Sequence, residues 1–249
     1  MKITIITATF NSSKTIAETL KSVAAQNHRD IEHIIIDGGS TDGTQALVAL
    51  HKSRDAHLIS EPDDGIYDAM NKGLRLATGD YVGFLNGDDT LATPSAIEDI
   101  VDAATRTDAD ALYGDLVYVD PSRRRPLVRY WRTGTYSPSA LRLGWMPPHP
   151  TLYIHRRTIA EIGQFDSHLR IAADYEYMLR LFADSTRRTT YIPSVLVRMR
   201  TGGASNRSLR AMLRKSREDL LVLRRHNVGG VVTLMCKNAR KIPQFFSGD

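Results

Sequence analysis

The strongest constraint on the fold of this chain is a rhythm in its first half. Short apolar, β-branched runs alternate with stretches whose apolar residues recur every three or four positions. Residues 2–7, 31–36, 57–60 and 81–85 read as strands. Between them, residues 11–26 carry Asn11, Ser12 and Ser13 as capping residues, then Ile16, Leu20 and Val23 at helical spacing. Residues 45–51 and 66–77 read as two further helices. Strands joined by helices cannot close as hairpins, so the pattern predicts an α/β fold: a mostly parallel sheet with helices on both faces.

After Pro94 a helix is expected to residue 107, and residues 111–119 read as another strand. Residues 120–150 break the rhythm with six prolines, both tryptophans and the run Arg123, Arg124, Arg125, and they read as a loop-rich insertion. A strand resumes at 151–154 and a helix at 175–183. Residues 205–225 predict a basic amphipathic helix with Leu209, Met212, Leu213, Leu220 and Leu223 along one side. No internal repeat is legible.

In a parallel sheet, ligands bind beyond the carboxyl ends of the strands. Polar residues collect at four of those ends: residues 7–11, Asp37, the pair Asp63 and Asp64, and residues 86–89. Turns favour Asp, Asn and Gly for conformational reasons, so one such cluster means little, but four in register suggest a shared site. The sharpest is Asn86-Gly87-Asp88-Asp89. Adjacent carboxylates repel unless a cation offsets them, and Mg²⁺ held by one or two carboxylates, phosphate oxygens and water does so. The same residues also suit a turn or helix cap.

Two nucleotide signatures are missing. TATFN stands where a GxGxxG would follow the first strand, and no GxxxxGK[ST] occurs. NGDDT echoes the DxDx[TV] of haloacid-dehalogenase phosphatases, but Asn86 cannot serve as their nucleophile.

The ordered motifs TATFN (7–11), IIIDGGSTDGT (34–44), EPDDGIYDAMNKG (61–73), ATGDYVGFLNGDD (77–89), IGQFD (162–166) and ADYEYMLRL (173–181) resemble family 2 glycosyltransferases with the GT-A fold, over roughly residues 1–203. GIYDAMNKG is most similar to the bacterial branch that builds exopolysaccharides, O-antigens and glycolipids. The resemblance implies a nucleotide-sugar-binding half (1–125), an acceptor-binding half (126–203) and a basic helical tail (204–249). Thr7, Thr9 and Phe10 would line the base and ribose, and Asp37 would accept a hydrogen bond from the base, most naturally uracil. Asp64 and Lys72 would contact the donor, and Asn86 a ribose hydroxyl. Asp88 and Asp89 would hold Mn²⁺ or Mg²⁺ on the diphosphate. Asp174 would be the catalytic base, and His149 would touch acceptor or product diphosphate. The chain departs from the family at Asn86, where the first Asp of DxD stands, and at Met70, where many relatives carry arginine.

The chemistry so implied is an inverting, metal-dependent transfer of a sugar from a nucleoside diphosphate, with UDP the first expectation, to a hydroxyl of a glycan or lipid-linked acceptor. A sugar hydroxyl is a poor nucleophile, and a carboxylate within hydrogen-bond reach can take its proton during attack. Asp174 begins the expected helix, where the helix dipole favours a carboxylate, although Asp is also a common cap there. A degenerate subunit that binds a nucleotide sugar without turnover is the alternative, supported by Asn86 and Met70. Gly202-Gly203 could form a flap over the site.

Charge is segregated along the chain. Residues 187–249 hold fourteen Lys and Arg against three Asp and Glu, which leaves the rest acidic although the net charge is +5. With Lys237, Arg240, Lys241, Phe245 and Phe246, such a tail suits peripheral docking on anionic lipid. No nucleic-acid recognition module is legible. A single cysteine, Cys236, and an opening that lacks a signal-peptide pattern lead to the expectation of a cytoplasmic protein, peripheral on the inner face of the plasma membrane where the tail docks.

Overall fold

The computed structural model describes residues 1–120, 122, 127–201 and 209–245, apart from the side chains of 209–212 and 245. Arg123, Arg124, Arg125, Gly202, Gly203, Ser205 and Phe246, singled out above, lie outside the described residues.

Strand β1 (Ile3–Thr9) is buried along its whole length. It pairs in parallel with β2 (Ile31–Asp37) on one side and β4 (Tyr81–Phe84) on the other, and β3 (His57–Ser60) continues in parallel beyond β2. The crossovers are α1 (Ile16–Ala24), α2 (Thr44–His51) and α3 (Ile66–Leu76), so all four carboxyl ends face one way. Alternation along β2 sorts its side chains between the two layers. Ile35 packs with Ile16, Leu20 and Val48 of α1 and α2, whereas Ile34 and Ile36 join Ala69 and Met70 of α3. Full burial of residues such as Ile16 and Leu20 contributes about 1.5–3 kcal/mol each. Gly73 lets α3 ride close on the sheet, because a Cβ there would collide with the Ile6 side chain.

Beyond β4 the sheet becomes mixed. Its order is β3-β2-β1-β4-β8-β6-β9-β5, in which β8 (Tyr153–His155) runs antiparallel to both β4 and β6 (Ala111–Val119). β6 pairs in parallel with β9 (Thr189–Arg200), and β9 pairs antiparallel with β5 (Thr90–Leu91). The first half is thus parallel throughout, and the second is mixed, with β6–β9 as its parallel pair. The expected loop insertion also contains β7 (Leu127–Trp131), antiparallel to β6, and the short helix α5 (Pro138–Arg142). Helices α4 (Ala96–Thr107), α6 (Arg156–Ile162) and α7 (Ala173–Phe182) complete this half.

The basic tail forms α8 (Leu209–Arg225) and α9 (Val231–Ala239). Val222 and Leu223 of α8 are fully buried in the same core cluster as Tyr175 and Leu179 of α7. No described helix is long and apolar enough to cross a membrane.

Candidate active site

The carboxyl ends of β1, β2 and β4 form one corner. Phe10, just past β1, is 61% exposed, an apolar ring turned outward. Thr7, two residues inside the strand end, is fully buried, and its hydroxyl lies 2.9 Å from His33 Nε2 on β2. Its side chain is thus committed to the sheet interior. Burial lowers the His33 ring to about 4, so it stays neutral there.

Asp37, at the end of β2, is also fully buried. Ser40 donates to it through both its backbone N–H and its hydroxyl, Ser60 Oγ donates at 2.6 Å, and Gln45 Nε2 at 3.2 Å. Four donors saturate the carboxylate, so an incoming base N–H has to displace one.

In the loop before α3 the two adjacent aspartates part ways. Asp64 is exposed and uses its backbone N–H on Asp68. Asp63 instead turns its carboxylate over Gly38, where any Cβ would strike it, and burial raises its pKa. Of the pair it is Asp63 whose carboxylate lies against Gly38, next to Asp37 in sequence, with its Oδ1 also capping the turn at Gly65 N, 2.9 Å away. Lys72 is spent on the same loop: its ammonium donates to Pro62 O at 2.7 Å and pairs with Glu61 at 2.9 Å and Asp68 at 3.6 Å. It braces the loop on α3 instead of pointing at a donor phosphate. Met70, the departure noted above, is a core residue packed with Phe84.

The acidic corner after β4 divides similarly. Asp89 is fully buried. Its Oδ1 accepts from Arg200 N at 3.3 Å and its Oδ2 from Asn86 Nδ2 at 3.3 Å. Burial first and the neighbouring Asp88 second push its pKa well up. Asp89 thus ties the β4 end to the end of β9, while Asp88 is half-buried at the surface. Asn86 Oδ1 and Thr9 Oγ1 are buried without a partner among the described residues. A carboxylate beside an orphaned amide oxygen suits a hard divalent ion, which takes its remaining ligands from water and phosphate. Three or more His, Cys, Asp or Glu do not converge into a metal cage among the described residues. Asp88 and Asn86 are the residues that fit one.

Across this corner stands α7. Asp174, in its first turn, accepts from Tyr175 N at 2.7 Å. Tyr67 of α3 donates to Ile171 O at 2.8 Å and lies 3.2 Å from Asp174 Oδ1. Burial and then the Asp174 charge push the Tyr67 hydroxyl well above its usual range, so it remains a donor. Glu176 does not share the site: it is buried between Arg180, 2.8 Å away, and His226, 2.9 Å away.

Two side chains join Asp174 to the acidic corner. His149 is 8% exposed, stacked on Phe84 with ring centroids 5.0 Å apart, and its Nε2 has no partner among the described residues. Burial lowers its pKa, and the Asp174 charge acts against that. Burial raises the Tyr118 hydroxyl, the Arg129 guanidinium over its ring opposes this, and Asp89 and Asp174 both add to it. Tyr67 and Tyr118 were not singled out in the sequence, and Asp63 was named only with Asp64 at a strand end, without a role of its own. Only Asp63 carried a signal, as one half of an Asp pair.

Comparison with known proteins decides the family. The model for "Glycosyl transferase family 2" matches residues 4–161. The chain belongs to glycosyl transferase family 2. An uncharacterized glycosyltransferase of Mycobacterium tuberculosis is 35% identical over 187 residues, which cover 72% of this chain and 68% of that one. A PGL/p-HBAD biosynthesis glycosyltransferase of Mycobacterium bovis is 28% identical over 207 residues, 81% of this chain and 78% of that one. Among solved structures, S. aureus TarS 1-349 in complex with UDP-GlcNAc aligns with a TM-score of 0.72 at 19% identity. That match takes in 92% of this chain and 66% of the TarS fragment, so the family 2 chain spans slightly less than two thirds of it. The mannosyltransferase PcManGT from Pyrobaculum calidifontis, in complex with GDP-Man and Mn²⁺, aligns at 0.66 and 17% identity, covering 100% of this chain and 76% of that one. These likenesses establish the GT-A fold.

Proposed function

We propose that this family 2 protein transfers a sugar from a nucleoside diphosphate donor, most directly UDP, to a hydroxyl of a glycan or lipid-linked acceptor, with inversion at the anomeric carbon. The observation that carries the reading is the run of contacts from the end of β4 to Asp174: Phe84 meets His149 and Phe165, Phe165 stacks on Tyr67, and the Tyr67 hydroxyl lies 3.2 Å from Asp174 Oδ1. UDP-GlcNAc in TarS and GDP-Man with Mn²⁺ in PcManGT support a nucleotide-sugar donor and a divalent ion.

Phe10 offers its exposed ring to the base, and Asp37 and Asp63 supply carboxylates beside it. Asn86 and Asp88 would hold Mn²⁺ or Mg²⁺, which when bound offsets the charge that develops on the departing diphosphate. Asp89 keeps that corner in place from inside. Asp174 takes the proton of the acceptor hydroxyl as it attacks. Tyr67 holds the segment before α7 through Ile171 O and so fixes where the Asp174 carboxylate stands. His149, with its unpartnered Nε2, stands ready to meet acceptor or product diphosphate.

The tail fits work at a membrane surface. Val231, Val232 and Met235 of α9 and Ile242 beyond it are exposed, and Arg240, also exposed, stands among them in the sequence. Such a face lets the protein dock peripherally on anionic lipid while the acceptor enters from that side.

The test pairs two measurements. Calorimetry with UDP, GDP and dTDP, each with Mn²⁺ and with EDTA, should give metal-dependent binding of one nucleotide. Asp174→Asn should then lose about 10²–10⁴-fold in turnover while keeping that nucleotide's affinity. Wild-type turnover in Asp174→Asn would remove the base assignment. Binding without donor hydrolysis or transfer by the wild type would favour the degenerate subunit instead.

A further inference from the structure

A cavity of about 250 Å³ lies apart from the donor corner. It opens between β7 with the residues after it, the 144–146 turn and the segment that follows α9. Tyr130, Trp131, Arg132, Lys237, Arg240 and Lys241 line it, and no carboxylate does. Arg132, Arg240 and Lys241 form no ion pair with a carboxylate among the described residues; their contacts are an aromatic face, a backbone carbonyl and an amide oxygen. Arg132 lies over the Tyr130 ring at 5.1 Å, Arg240 Nε donates to Leu143 O at 3.0 Å, and Lys241 Nζ to Asn238 Oδ1 at 3.0 Å. Lys237, 5% exposed, is the exception, paired with Asp219 at 2.9 Å.

Gathered cations are mutually repulsive, and burial with the neighbouring Lys215 and Arg129 lowers the Lys241 ammonium. A bound anion relieves that repulsion. Beyond the cations, and apart from Thr133 and Gln244, the lining is apolar or aromatic, which suits a ligand that is charged at one end only. The cavity is smaller than pockets that enclose whole ligands, so it takes an end group.

Its position relates it to catalysis. The Lys237 ammonium sits 3.2 Å from the centre of the Tyr175 ring, and Tyr175 directly follows Asp174. On the opposite wall, Arg129 lies over both Trp131 and Tyr118, the tyrosine on which Asp174 acts. The cavity thus backs the wall that carries the catalytic base, away from the Phe10 corner.

We propose that this cavity binds a phosphate group of the acceptor, held by Arg132, Arg240 and Lys241, with the adjoining apolar part of the acceptor lying on Tyr130 and Trp131. The proposal rests on the glycosyltransferase reading above and names the acceptor class for it: a phosphate ester on an apolar body. A phosphorylated lipid and a soluble phosphate share the anionic end, and the experiment separates them.

The chain has only two tryptophans, Trp131 and Trp145, and both line the cavity. Intrinsic fluorescence therefore reports on this site. The full chain is titrated with decyl phosphate below its micelle concentration, with 1-decanol and with inorganic phosphate. Decyl phosphate should give a saturable change, decanol none, and inorganic phosphate the same change at much higher concentration. Arg240→Gln/Lys241→Gln, and independently Arg132→Gln, should weaken decyl phosphate by about tenfold or more, with circular dichroism unchanged. No response to decyl phosphate, an equal response to decanol, or unaltered affinity in both variants would overturn the proposal. Equal affinity for inorganic phosphate would overturn the apolar half and make a soluble phosphate the source. UDP calorimetry on the same preparations keeps the two readings apart. UDP binding without a decyl phosphate response removes the cavity assignment alone, and the reverse removes the donor site.

Discussion

Asn71 offers a sharp test of how the two halves are joined. It sits on α3, 6% exposed, and its amide clasps the backbone of Phe165, 94 residues away: Nδ2 donates to Phe165 O at 3.0 Å, and Oδ1 accepts from Phe165 N at 2.9 Å. Phe165 is itself buried. Asn71→Ala deletes both bonds and strands a buried N–H and a buried C=O. Each stranded group costs about 1–3 kcal/mol, so a loss of about 3 kcal/mol is expected, a large share of the usual 5–15 kcal/mol of a domain. Phe165 stacks on Tyr177 at 4.2 Å and Tyr67 at 5.7 Å and meets Phe84 and His149 edge-on, so its displacement loosens Tyr67 and with it Asp174. Urea unfolding should show a lower midpoint at unchanged slope. Turnover should fall while nucleotide affinity holds. Asn71→Asp keeps an acceptor for Phe165 N but sets an oxygen against Phe165 O, and it should cost at least as much as alanine. A loss under about 1 kcal/mol in Asn71→Ala would show that the clasp does not hold the loop.

Two stability predictions follow from buried ionisable groups. His33 titrates near 4 in the fold against 6.5 in the open chain, so the unfolded state binds the extra proton between those values and stability falls as pH drops through them. The gap corresponds to about 3 kcal/mol, and His33→Gln should show a correspondingly flatter melting profile between pH 7 and pH 4; identical profiles would refute it. Lys237→Met strands the buried Asp219 carboxylate and should cost about 3 kcal/mol in chemical denaturation, while Lys237→Met/Asp219→Leu should recover most of that loss. If the double variant is no more stable than the single one, the cost lies in packing against Tyr175 and not in the stranded charge.

The first half was legible because each element satisfies one requirement at a time. Strand β3 falls on residues 57–60 as the pattern predicts, and β2 alternates between two helical layers. Strand β9 was hidden by Pro193, which argues against a strand interior. The sheet accommodates it where the β6–β9 register shifts between Tyr113 and Asp115, so the proline sits at an irregularity. The roles of adjacent carboxylates were not legible either. Asp63 and Asp64, or Asp88 and Asp89, differ only in which way the chain turns, decided by a local turn at Gly65 N for the first pair and by the distant Arg200 N for the second. Thr7 and Lys72 carry the right chemistry for a ligand, yet His33 and the Glu61–Asp68 loop claim them first.

The basic tail shows how little composition says of such segments. Its charge excess fits lipid docking and a helix packed on the core alike, and charge counts say nothing of the few residues of opposite sign. Glu218 and Asp219, the two acidic residues of α8, carry its connection to the site. Glu218 Oε2 accepts from Ile171 N at 2.8 Å and Ala172 N at 3.0 Å, satisfying backbone donors just ahead of α7, where no side chain of α7 itself caps the helix. Asp219 holds Lys237 under the Tyr175 ring. One side of the tail therefore fixes the turn that presents Asp174, while Val231, Val232 and Met235 of α9 stay exposed. A substitution at Glu218 should therefore disturb the position of the Asp174 carboxylate even though it touches no part of the Asn86–Asp89 corner.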